Sequence, residues 1–171
     1  MNWANTYVDD YYNWLREKTF IQKDSNTDWF LINTPFVGAF NDTIEIYAQK
    51  HGNHLKLSDN GETMSNLELQ GLHIQGSKRR RTILDTILLN YGVKYESDEL
   101  TLEANIENFP QSKHNFLSAI IEINDLYVLS KHNVASIFLR FAVLFSHNFQ
   151  DQVAQNTDQL VRRKFHLFLI Y

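Results

Sequence analysis

Hydrophobic positions recur along this chain with two periods, one helical and one extended. Between Thr6 and Lys18, Tyr7, Tyr11, Trp14 and Leu15 repeat at helical spacing while Asp9, Asp10, Arg16 and Glu17 fall mostly elsewhere. That pattern predicts an amphipathic first helix. Phe20-Ile21 and Trp29-Phe30-Leu31-Ile32, with Asp24, Ser25 and Asn26 between them, read as two strands joined by a turn, the second ended by Pro35. Thr43 to Ala48 alternates with the two-residue period of a strand, and His51-Gly52-Asn53-His54 turns the chain into Leu55-Lys56-Leu57. This is the clearest hairpin in the sequence. After Ser58-Asp59-Asn60-Gly61, a short helix over Glu62 to Gln70 points Met64, Leu67 and Leu69 inward and stops at Gly71.

Ser77 caps a longer helix reaching Tyr91, whose apolar face is Ile83, Leu84, Ile87, Leu88 and Tyr91 and whose terminator is Gly92. Val93 to Glu96 and Leu100 to Glu103 flank Ser97-Asp98-Glu99 as a second hairpin. Pro110 suits a first helical position, and Phe116, Leu117, Ile120, Ile121, Asn124, Tyr127 and Val128 line one side of a long helix after it. The fold class is therefore α+β: a mostly antiparallel sheet of about four to six strands in hairpins, flanked by about four helices.

Residues 1–133 make up this domain. The stretch from Val134 to Phe149 is apolar almost all round, broken by Arg140 and His147, and after a polar segment the chain stops on Phe165 to Tyr171. Residues 134–171 read as an apolar C-terminal extension, either the remnant of a second domain or a terminal strand that docks into the sheet. At about 16 residues with an Arg inside, the apolar stretch falls short of the ~20 needed for a membrane span, so no membrane is expected.

Composition narrows the class further. With 171 residues, 43% hydrophobic and 21% charged, the chain has the make-up of a globular protein that buries about 70% of its unfolded surface. The absence of cysteine excludes disulfides, thiolate zinc sites and cysteine nucleophiles. An N-terminus without the basic-then-apolar layout of a signal peptide points to the cytoplasm, or to a host's cytoplasm for a phage-encoded chain. A net charge of −4 argues against a polycation but leaves room for a local phosphate-binding patch.

Four blocks carry a family resemblance: Tyr11-Tyr12-Asn13-Trp14-Leu15, Thr34-Pro35-Phe36, Leu57-Ser58-Asp59-Asn60-Gly61-Glu62-Thr63, and Asn108-Phe109-Pro110 with His114-Asn115. In their order and spacing they resemble the bacterial and phage family called domain of unknown function 1828, over about Thr6 to Ser130. Members often continue into a second uncharacterised domain, numbered 1829, which implies a short or shortened version here. From about Arg140 the pattern departs. The resemblance implies a prokaryotic or phage origin and assigns no catalytic residue.

Among candidate sites, the basic run Lys78, Arg79, Arg80 and Arg81 opens a predicted helix, where the positive dipole end disfavours cations by about 0.3–1 kcal/mol each. Bound phosphate would explain it, as helix N-termini attract anions and Arg forks grip them. So would local neutralisation, by Asp85 four residues on or by Glu62, Glu68 or Glu96 after folding. Short helix, turn, basic helix and hairpin also resemble a winged helix-turn-helix, although Gly71 to Gly76 is long for its turn. His51 and His54 lack a third ligand and read as polar turn residues.

Asp42, Glu45, Asp59 and Glu62 are followed by no Glu-x-Lys or Asp-x-Lys, and no phosphate loop, nucleophile elbow or dinucleotide fingerprint is present. No cofactor, metal or catalytic set is expected. Tyr7, Tyr11 and Trp14 are able to stack bases or grip a peptide, but at helical spacing they read as core. Phe138, Phe141, Phe145 and Phe149, if exposed, would form a partner surface. The expectation is a non-enzymatic module that binds a protein partner, in a phage setting an inhibitor of a host defence system. The alternatives are a nucleic-acid binder using residues 78–81 and an accessory part of a nuclease whose catalytic domain is missing.

Overall fold

The chain enters its first helix, α1 (Trp3–Lys18), through an Asn cap: the Asn2 side chain accepts from the Ala4 N–H at 3.3 Å. Arg16 and Lys18 in the last turn face the negative end of the helix dipole. These features belong to a computed structural model that describes residues 2–129. Thr19 leads directly into strand β1 (Phe20–Lys23), and Asp24 shapes the turn to β2 (Trp29–Val37) by accepting from Asn26 N–H and the Thr27 hydroxyl. Pro35, expected to end β2, lies within it. The register slips between Asn33 and Val37, and at such an irregularity the missing proline N–H removes no ladder bond.

Strand β3 (Thr43–His51) pairs with β4 (His54–Ser58) across Gly52-Asn53, and Gly52, at φ 59°, supplies the positive φ that a two-residue hairpin demands. Helices α2 (Glu62–Leu69) and α3 (Lys78–Tyr91) end alike. Leu72 N–H reaches the Leu67 carbonyl and Val93 N–H the Leu88 carbonyl, each at 2.9 Å, around left-handed Gly71 and Gly92. Strands β5 (Lys94–Glu96) and β6 (Glu99–Asn105) are joined by Ser97-Asp98, both at positive φ. Pro110 opens the first turn of α4 (Phe109–Asn124), which gives way to a 3-10 turn over Asp125–Leu129. The long helix expected to run through Tyr127 and Val128 thus tightens after Asn124, leaving both side chains partly exposed.

The strands form one antiparallel sheet in the order β1-β2-β3-β4-β6-β5. Its core face carries Ile32, Ile46, Leu57 and Leu102, which pack with Leu67, Leu84, Ile87, Phe116 and Ile120 of α2, α3 and α4. Leu69, expected inward, is exposed, because the eight-residue α2 buries one stripe of Thr63, Met64 and Leu67. The architecture is the α+β arrangement of six strands and four helices expected among the described residues.

Candidate functional site

Cross-strand partners in a sheet share a face. Ile21 pairs with Ile32, and Phe30 with Ala48, so both belong to the side that buries the core. Neither is covered: Ile21 is 67% and Phe30 41% exposed. The helix leading into this edge is bare as well, since α1 has no buried residue in its 16 positions. Trp3, Tyr7, Tyr11 and Trp14 follow one another at spacings of four, four and three, the period of a helix face. Trp3 and Tyr7 meet edge-on at 6.1 Å, and Tyr11 and Trp14 stack at 6.2 Å.

The core reading of Tyr7, Tyr11 and Trp14 is therefore corrected. Tyr7, Tyr11 and Trp14 are all exposed, Tyr7 by 67%, because α1 settles no more than Ala4 and Leu15 to half-burial. Spacing told that these rings share a stripe. It did not tell what the stripe faces.

A second site lies at the other end of β3. Asp59, almost fully buried, spends its carboxylate on backbone: Oδ1 accepts from Gly61 N–H at 2.9 Å and Leu100 N–H at 2.8 Å, and Oδ2 from Thr63 N–H at 3.0 Å. It thereby caps α2, whose formal cap Gly61 has no side chain, and ties that turn to β6. Beside it, Asp42, Glu45, Glu62 and Asn124 line a pocket of about 20 Å³, floored by Ile120. Partial burial, then the charges of Asp42, Glu45 and Asp59, hold the Glu62 carboxyl above its usual range. Asp42 Oδ1 and Asn124 Oδ1 are both buried without a hydrogen-bond partner.

Sequence patterning named Asp42, Glu45, Asp59 and Glu62 but saw no motif in them, because the Asp42–Glu45 and Asp59–Glu62 stretches come together only through folding. One sign was present: Asn124 falls on the apolar stripe of α4, four residues after Ile120, where a polar side chain needs a reason.

The basic run Lys78, Arg79, Arg80 and Arg81 occupies the first turn of α3, capped by Ser77, whose Oγ accepts from Arg80 N–H at 3.5 Å. Two of its guanidinium groups turn back onto the preceding 3-10 turn: Arg80 Nη1 donates to the His73 carbonyl at 3.4 Å and Arg81 Nη2 to the Gln75 carbonyl at 3.0 Å. Backbone carbonyls of the turn take these two hydrogen bonds. His51 and His54 face each other across the β3–β4 turn, and His51 Nε2 lies 2.8 Å from Gln49 Oε1. No group of three His, Cys, Asp or Glu residues among the described residues is placed to hold a metal ion. Phe138, Phe141, Phe145 and Phe149 lie outside the described residues. No helix among those described is long and apolar enough to cross a membrane.

The model of one family, described as a domain of unknown function and numbered DUF1828, matches residues 34–123. The span runs from within β2 to the last turn of α4, leaving out α1, β1 and the Tyr11-to-Leu15 block. No curated protein and no solved structure matches the chain.

Proposed function

The chain belongs to the DUF1828 family, and on that premise we propose that it is a non-enzymatic interaction module whose partner is a protein bound at α1 and the bare β1–β2 end of the sheet. The observation that carries this reading is a 16-residue helix with no buried position and an aromatic stripe, leading into a strand exposed at all four residues. Tyr and Trp are the side chains that most often anchor protein interfaces, as each gives large rigid area at small entropic cost. Burying an exposed ring of this size is worth about 1.5–3 kcal/mol, so three or four of them supply the core of a specific interface. The helix stands outside the family-matched span, so the partner is proposed for this chain and not for the family.

A photo-crosslinking residue in place of Tyr11, in the full chain expressed in its source organism, tests the reading. It should give one discrete protein adduct that disappears when Trp14→Ser is added. Position 89 on α3, where Leu89 is 82% exposed against 49% for Tyr11, serves as the comparison, since its greater accessibility favours non-specific labelling there. Equal labelling from positions 11 and 89, or none from either, would refute the proposal. The adduct's identity also decides whether the partner is a defence component, the use expected of a phage-borne chain.

A further inference from the structure

We propose that the pocket between Asp42, Glu62 and Asn124 is a binding site for a hard, partly hydrated divalent cation of the Mg²⁺ type. The site is independent of the partner surface and rests on different residues. Its first support is the orphaned oxygen of Asn124. This residue is 7% exposed, lines the pocket and leaves Oδ1 buried and unpartnered, which is unfavourable unless something in the pocket satisfies it. Asp42 Oδ1 is orphaned in the same way.

The two side chains share a wall, because a Cβ added to Gly38 would stand 3.2 Å from Asp42 Oδ1 and 3.5 Å from Asn124 Nδ2. No Lys, Arg or His is among the lining residues. The carboxylates of Asp42, Glu45 and Glu62 therefore line the pocket without a counter-charge.

Charge and size select the ligand. A space of about 20 Å³ admits one water-sized occupant. The available donors are carboxylate and amide oxygens, the set preferred by hard cations, and no thiol or imidazole is present to favour zinc or copper. Asp59 is excluded as a ligand because three backbone N–H groups already hold it. Since no three acidic or imidazole side chains among the described residues converge to enclose an ion by themselves, the cation keeps part of its water shell. Mg²⁺ characteristically binds in this way, through one or two carboxylates and several waters. Glu62, exposed at the mouth, leaves the open side where those waters sit.

Mn²⁺, a paramagnetic stand-in, tests this directly: the full chain is titrated with Mn²⁺ after chelator treatment, and loss of the free-ion resonance is followed. Saturable binding at one site, displaced by Mg²⁺, is the expected result. Asp42→Asn and Glu62→Gln should each weaken it by roughly tenfold or more, while Glu103→Gln, an exposed carboxylate on β6, should leave it unchanged. Circular dichroism of the variants, matching the parent, separates lost ligation from lost fold. Absence of binding at millimolar Mn²⁺, or equal binding by parent, Asp42→Asn and Glu62→Gln, would overturn the site and leave a bound water as the pocket's occupant.

Discussion

At the scale of single residues, two carboxylates near one turn do opposite work. Asp59 is stabilising because both its oxygens accept from backbone N–H groups, three in all, that would otherwise lack a partner. Asp59→Ala strips three donors at once and should cost about 3 kcal/mol or more, read as a lowered urea midpoint with unchanged slope. Glu62 is the reverse case, with a folded-state carboxyl held above its ordinary value of 4.5. The folded protein there keeps a proton that the unfolded chain releases. Its contribution to stability is fully present below the unfolded value and is lost as pH rises through the folded one. In chelator-containing buffer Glu62→Gln should therefore be more stable than the parent at pH 7, by no more than about 0.5 kcal/mol because solvent screens an exposed group. The difference should vanish below pH ~4. Thermal melts at the two pH values check both sign and window. The turn at Ser58-Asp59-Asn60-Gly61 was legible in the sequence as turn chemistry, but which carboxylate would be consumed by backbone and which left facing others depends on β6 arriving alongside.

At the scale of elements, helix α1 and helix α4 have the same length, 16 residues, and opposite roles. Phe116, Ala119, Ile120 and Ile123 of α4 are buried to 2% exposure or less, whereas α1 buries none of its residues. Phe116→Ala should cost about 3–5 kcal/mol, while Tyr7→Ser and Tyr11→Ser should each stay within about 0.5 kcal/mol of the parent. Chemical denaturation of the three variants makes the comparison. A cost at Tyr11 approaching that at Phe116 would mean that α1 is packed after all. Periodicity found both helices, since it reports which side chains share a face. The hairpins were legible too, Gly52 marking the first turn, but the second closes one residue tighter than its polar run suggested: Glu99, read as part of the turn, pairs with Glu96, leaving Ser97-Asp98 alone at positive φ. Partnership was not legible for α1: an aromatic stripe at helical spacing is written the same way whether it meets a sheet, another protein or water. Pro35 misled for a related reason, as its effect depends on a register slip that only pairing with β3 defines.

At the largest scale, taken over the described residues, the sheet is covered by helices over its central strands and left open at the β1–β2 edge. The family-matched residues 34–123 supply most of the covered core, Ile32 and Leu126 excepted, and most of the acidic pocket. The open edge and its aromatic helix precede that span, so core and surface are divided along the chain as well as in space. A bare edge strand beside exposed Ile21, Phe30 and Tyr7 is a liability for a protein that works alone and an asset for one that works in a complex. The most direct test is hydroxyl-radical footprinting of the full chain, first purified and monomeric, then in extract of its source organism. Trp3, Tyr7, Tyr11 and Trp14 should oxidise rapidly in the purified protein and become protected in the extract, while buried Phe116 remains protected in both. Protection of these rings already in the isolated monomer, or equal oxidation in both settings, would contradict the assignment of this face to a partner.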